Sequence, residues 1–123
     1  MANEITVNGS LAYSDSEGSA RTLSIEDFID DLTTKEYVCH KQTIGASEEA
    51  IDLGSLTTCG WALFINRSET TYINLKVATG GAIFAKLNAG GGAALLYLGS
   101  GAQAPYAIAG VAGAPLEVFI AAQ

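Results

Sequence analysis

Hydrophobic and polar positions alternate with period two along most of this chain. Between Glu4 and Tyr13, Ile5, Val7, Leu11 and Tyr13 fall on one face, and Glu4, Thr6, Asn8 and Ser10 on the other. That alternation is the signature of a half-buried strand. The polar run Ser14–Ser19, with Gly18 available for a positive φ, predicts a turn, and Arg21–Ile25 a short hairpin partner. Ser24–Leu32 is the single candidate helix. Ser24 stands three residues before Asp27, as in a capping box, and Ile25, Phe28, Ile29 and Leu32 have helical spacing. Against the helix stands Asp30-Asp31 near its C-terminal end, where negative charge opposes the helix dipole.

Beyond residue 36 the pattern predicts strands at Tyr37–Ile44, Glu49–Leu53, Trp61–Asn66, Thr71–Val77, Ile83–Leu87, Ala93–Leu98, Tyr106–Ala109 and Leu116–Ala121. Glycine-rich connections separate them, among them Asn88–Gly92, Gly99–Ala104 and Gly110–Pro115. Short strands at this spacing predict an all-β fold, a two-sheet β-sandwich of jelly-roll type with at most one short helix near residues 24–32. Trp61–Ile65 and Ala93–Leu98 are apolar without interruption, so both are expected to be central strands covered on both faces. Within the first run, Trp61, Leu63 and Ile65 point one way and Ala62 and Phe64 the other. The expected core is Trp61, Leu63, Ile65, Leu95, Tyr97, Val118 and Ile120.

Length and composition narrow the class. A chain of 123 residues with 49% hydrophobic content is expected to form a single domain, 1–123, that buries its own core. The net charge is −7, and the six basic residues are scattered singly. That argues against a nucleic-acid partner, since phosphate contacts need clustered Lys and Arg. From Val77 to Gln123 the only charged residues are Lys86 and Glu117. Either this half is core dressed with small Ala and Gly residues, or a neighbouring subunit covers it. In the second case Tyr97, Pro105, Tyr106, Ile108 and Val111 are the candidate subunit interface.

The N-terminus has neither the positive nor the apolar region of a secretory signal, and Ala102–Leu116 is too short and too broken by proline and glycine to span a membrane. Cytosolic synthesis is therefore expected, with no membrane partner. It also favours Cys39 and Cys59 as buried thiols over a disulfide. For the same reason the glycosylation patterns at Asn8 and Asn66 carry no weight.

Catalytic chemistry has little to stand on. Gly99-Ser-Gly-Ala-Gln-Ala104 follows a strand, but Pro105 and another strand come next in place of the helix that would hold a pyrophosphate. His40 is the sole histidine, no nucleophile elbow accompanies it, and its strand neighbours mark it as structural. No Cys/His spacing chelates a metal, and the carboxylates Glu26, Asp27, Asp30 and Asp31 lack the glycine turn of a calcium loop. No catalytic, cofactor or metal site is assigned, and no enzyme activity is expected.

One longer pattern resembles a known class. Ile44–Trp61 carries Ile-Gly, then Glu-Glu-Ala-Ile-x-Leu-Gly-x-Leu-Thr-Thr-x-Gly-Trp. A strand ending in Asn66 follows, then Thr71-Tyr72-Ile73, a Lys-Leu-x-Ala-Gly loop at 86–90, Ala-Leu-Leu at 94–96, Ala-Pro-Tyr-Ala at 104–107 and the apolar strand Leu116–Ile120. In this order the blocks resemble small bacteriophage virion proteins of the β-sandwich type: capsid decoration or cement proteins, and tail or neck accessories. The chain departs from that pattern in the turn after Asn66, where an acidic residue is expected and Arg67-Ser68-Glu69 stands. The resemblance implies a non-enzymatic structural role in the virion, synthesis in the host cytoplasm, homo-oligomerisation, and a major capsid or tail protein as partner. The alternative is a fibre-type receptor- or carbohydrate-binding module using exposed Trp61 and tyrosines.

Overall fold

β-Branched and aromatic residues separated by glycine turns give ten strands and, among the described residues, no helix. The architecture is a computed structural model that describes residues 3–32, 34–100 and 104–122. The chain falls into two compact units, residues 1–34 and 35–123, so the sandwich expected over the whole length occupies the second alone.

The first unit is a ribbon of two antiparallel strands, β1 (Asn3–Ser14) and β2 (Ala20–Leu32). Its turn is built on Asp15, whose Oδ1 accepts the backbone N–H groups of Glu17 and Ser19 at 2.9 Å each. The segment expected to be helical, Ser24–Leu32, is strand. Its helical spacing comes from a β-bulge. Ile25 lies opposite Gly9 and Phe28 opposite Val7, so Glu26 and Asp27 together face the single residue Asn8. Asp27 takes φ 50° there, and its N–H donates to Asn8 Oδ1 at 2.7 Å. One extra residue puts Ile25 and Phe28, three apart, on the same face of a strand.

The second unit holds β3 (Tyr37–Ile44), β4 (Glu49–Ala50), β5 (Cys59–Asn66), β6 (Ile73–Lys76), β7 (Ile83–Leu87), β8 (Ala93–Ser100), β9 (Tyr106–Ala109) and β10 (Ala114–Ala121). They form two four-stranded antiparallel sheets, in the orders β3-β10-β5-β8 and β4-β9-β6-β7. One core joins them. Ile44, Ala62, Phe64, Leu116, Val118 and Ile120 from the first sheet meet Ile73, Leu75, Leu87, Ala107 and Ala109 from the second, all buried. The protein is thus all-β, with its sheets packed as a sandwich.

The unbroken apolar run in β5 does mark a central strand, flanked by β10 and β8. The run in β8 does not: β8 is an edge strand, paired with β5 alone among the described residues. The backbone of β4 and of the residues just after it is held by side chains of β3. Gln42 on β3 donates to the carbonyl of Ala50 at 3.0 Å and accepts the N–H of Asp52 at 2.9 Å. His40 Nε2–H donates to the carbonyl of Asp52 at 2.9 Å, which gives the sole histidine its structural role. Side-chain amide and imidazole thus complete hydrogen bonds that a longer β4 would have made with a neighbouring strand.

Candidate functional site: the outward face of the β3-β10-β5-β8 sheet

Residues opposite one another on neighbouring strands share a face, so the registers spell out what this sheet shows on its outer side. Cys39, Phe119, Leu63 and Leu95 make one row across all four strands. Lys41, Glu117, Ile65 and Ala93 make the next. Tyr37 beside Ala121, and Trp61 beside Tyr97, extend the array at the other end. Nearly all of it is apolar. Two ring contacts brace it: Tyr37 stacks on Phe119 at 5.6 Å between centroids, and Trp61 meets Tyr97 edge-on at 5.5 Å.

The face stays open. Tyr37, Leu95 and Tyr97 are 64%, 40% and 44% exposed, while Trp61, Leu63, Ile65 and Phe119 are half-buried. Between β3, β10 and β5 lies a shallow groove of about 260 Å³, lined by Cys39, Leu63, Ile65, Glu117, Val118 and Phe119. Its one charged wall, Glu117, is tied to Arg67, with Nε at 2.8 Å and Nη2 at 2.6 Å from the same carboxylate oxygen. Both partners are well exposed, so the pair is worth ~1 kcal/mol or less. Its effect is local: it holds the carboxylate in place at the end of the groove.

Several expected site residues therefore move. Val118 and Ile120 are core, as read. Trp61, Leu63, Ile65, Leu95 and Tyr97 were assigned to the core but lie on the outward face. The alternation along β5 was read correctly, but Ala62 and Phe64 form its inner side. Of the expected interface, Tyr97 belongs to this face, whereas Tyr106 and Ile108 are half-buried on the other sheet, opposite Lys76 and Asn74. Pro105 is buried, and Val111 is exposed in the β9–β10 turn. Those five residues do not form one surface. Cys59 is buried as expected but Cys39 is exposed in the groove, and no disulfide joins them. Sequence reasoning offered Tyr37 only as one of several tyrosines for sugar stacking and missed Cys39 and Phe119; their common face follows only from the β3–β10 register.

Elsewhere the polar groups serve the fold. No group of three His, Cys, Asp or Glu residues among those described is placed to hold a metal ion. Residues 101–103 of the Gly99–Ala104 loop lie outside the described residues. Glu48 pairs with Lys76 and also accepts the Gly80 N–H at 2.9 Å. The hydrogen bond from the Lys76 ammonium, followed by that from Gly80, holds the Glu48 carboxyl below its ordinary range. No protein-family model matches the chain, and no curated protein or solved structure matches it. The face itself offers contact chemistry: a broad apolar sheet with aromatic ends and one fixed ion pair.

Proposed function

We propose that the chain is a non-enzymatic structural protein of a bacteriophage virion, a capsid decoration protein that self-associates and reinforces the shell. The observation that carries this reading is the outward face of the β3-β10-β5-β8 sheet. An apolar array of that extent on a folded domain is the mark of a surface that another protein covers. The block pattern from Ile44 to Ile120 supplies the virion context by resemblance. The alternation of the chain between sheets, with β10 between β3 and β5 and β9 between β4 and β6, is read as a jelly roll, an architecture shared by capsid and lectin domains.

The test is co-sedimentation of the purified protein with capsids and, separately, with tails of the phage whose genes flank its own. Binding to capsids together with self-association supports decoration. Binding to tails alone moves the protein to a tail or neck position. A monomer that binds neither ends the proposal.

A second reading has its own observation. The Trp61–Tyr97 edge-on pair and exposed Tyr37 put aromatic rings on one outward sheet face, as a sugar-stacking site requires. Specific hits on a glycan array, lost in Trp61→Ala, would favour a fibre-type carbohydrate-binding module.

A further inference from the structure

Among the described residues β3, β8, β4 and β7 stand at the edges of the two sheets, and three of these four edges are blunted. β3 carries Lys41 and holds the backbone of Ala50 and Asp52 through Gln42 and His40. β4 is two residues long. β7 is five residues long, carries Lys86 and pairs with β6 through a register shift. Short length, lysine, irregular pairing and a covering segment are the devices by which sheets avoid pairing with another chain. β8 has none of them. It runs for eight residues without charge or proline, and its ladder with β5 is regular from Ala93 to Tyr97.

The free backbone groups of β8 can be assigned. The Asn66 N–H donates to the carbonyl of Gly92 at 2.8 Å, one residue beyond the Ile65–Ala93 pair. Asn66–Gly92, Phe64–Ala94 and Ala62–Leu96 are therefore the hydrogen-bonded pairs of this antiparallel ladder. Ala93, Leu95 and Tyr97 turn their N–H and C=O groups the other way, where no described strand stands. The side chains of the same three residues are the exposed ones on the outward face. Backbone and side chains thus present a single strip.

We propose that this strip pairs with the same strip of a second copy. Two β8 strands run antiparallel about a two-fold axis at Leu95 and join two four-stranded sheets into one of eight strands. The contact goes beyond association through the outward face, because it uses the backbone edge and leaves that face open.

Backbone geometry leaves one register. Centred on Leu95, it sets Ala93 against the partner's Tyr97, Leu95 against the partner's Leu95, and Tyr97 against the partner's Ala93. All are residues with free groups, and each pair exchanges two N–H···O=C bonds. Sliding by two residues either way sets Tyr97 against Gly91 or Ala93 against Gly99, whose φ values of 109° and 60° are not those of a strand. The side chains agree with this register, since small Ala93 receives the large Tyr97 ring. The order small, medium, large along the strip is complementary to its own reverse, which makes a copy of β8 the fitting occupant. The chain's own ribbon is not that occupant: β1 and β2 pair with each other in a sheet separate from that of β8, and β2 carries Glu26, Asp27, Asp30 and Asp31. β5 and β8 carry no charge, so the pairing brings no like charges face to face. The net −7 of each copy acts from farther away and is screened beyond about 8 Å at physiological salt.

The experiment is amide hydrogen exchange by NMR on the full chain, with sedimentation velocity in parallel. One strand from each copy makes a contact of the weak, transient class, so concentrations rise to about 1 mM. The amides of Ala94 and Leu96 are bonded to β5 and should be protected at every concentration. Those of Ala93, Leu95 and Tyr97 should exchange fast in dilute protein and gain protection as the dimer forms. Leu95→Pro removes an N–H that β5 does not use, so circular dichroism should show the strand content kept. Dimerisation should weaken about tenfold or more, because two bonds at the axis are lost. Should that variant lose its strands, Leu95→Lys places a charge on the edge and makes the same test. Association that leaves Ala93, Leu95 and Tyr97 unprotected overturns the edge pairing while leaving association through the face in place. Protection that appears only when capsids are added assigns the edge to a strand of another protein, and overturns the pairing as well. A chain that is monomeric throughout overturns both the pairing and self-association.

Discussion

The side-chain amide of Asn66 donates to the carbonyl oxygen of Leu87 at 2.9 Å, joining the end of β5 to the end of β7. The same Nδ2 donates to Thr71 at 2.8 Å, and Oδ1 accepts the Ser68 N–H at 2.9 Å. Asn66 is fully buried, so the amide satisfies backbone groups that water does not reach. Asn66→Ala is expected to cost about 3 kcal/mol, with Thr71, Leu87 and Ser68 left short of partners. Asn66→Asp should cost at least as much at neutral pH, because a carboxylate cannot donate to two carbonyls. Urea denaturation followed by Trp61 fluorescence measures both.

Glu48 gives the fold a pH dependence whose sign follows from its partners. Its pKa is lowered in the folded state, so the group stabilises the protein above its ordinary value of 4.5. That contribution is lost as pH falls through the lowered native value. Glu48→Gln should therefore be less stable than wild type at neutral pH, and the difference should shrink on acidification. Thermal midpoints measured at a series of pH values would show curves that converge toward acid; parallel curves would refute the assignment.

Two neighbours on β5 should behave in opposite ways. Phe64 is wholly buried between the sheets, and Phe64→Ala is expected to cost about 3–5 kcal/mol. Leu63 faces outward into the groove, and Leu63→Ala should cost about 1 kcal/mol or less in the monomer; the proposed association through that face predicts that it also weakens self-association. Denaturation read beside sedimentation separates the two effects.

Gly110 has no room for a side chain. A Cβ there would lie 2.7 Å from the Tyr72 ring and 2.8 Å from Thr71 Oγ1. The Gly110 N–H is bonded to the Tyr72 carbonyl at 3.1 Å, so the backbone cannot simply withdraw. Gly110→Ala is expected to destabilise by about 1–3 kcal/mol, whereas Gly18→Ala, in open space but at φ 89°, should lose only the smaller cost of its backbone conformation. Comparing the two variants' denaturation midpoints checks the order.

The cysteines differ in access. Cys39 is exposed on the edge strand and Cys59 is buried. A thiol reagent should modify one equivalent in the native protein and the second only on unfolding. Because Cys39 lines the groove, the proposed self-association through that face predicts that its modification slows as protein concentration rises.

Much of the fold could be read from periodicity, and the misreadings have physical causes. β7 and β9 fall where alternation placed them, and β10 begins only two residues earlier than expected; Pro105 and Gly110 bound β9, and Gly113 precedes β10. In β5 both faces are apolar, so the sequence carries the alternation but not the sign of its inner side. Phe64 and Trp61 are equally good core residues until a second sheet is laid against one of them. β8 looked central because Ala93–Leu98 has no charge. It is an edge strand whose outer side chains, Leu95 and Tyr97, belong to the exposed array. The outward apolar face escaped for the same reason: Cys39, Phe119, Leu63 and Leu95 are far apart in sequence and meet only through three strand registers.

The bulge at Glu26-Asp27 acts as a frame corrector. Without its extra residue, every side chain from Phe28 onward would change sides relative to Leu23 and Ile25, and the ribbon would show half an apolar stripe on each surface. A single-residue deletion there would therefore divide the apolar side chains of β2 between the two faces without removing any of them. β2 is thus constrained in its length at this point as well as in its composition.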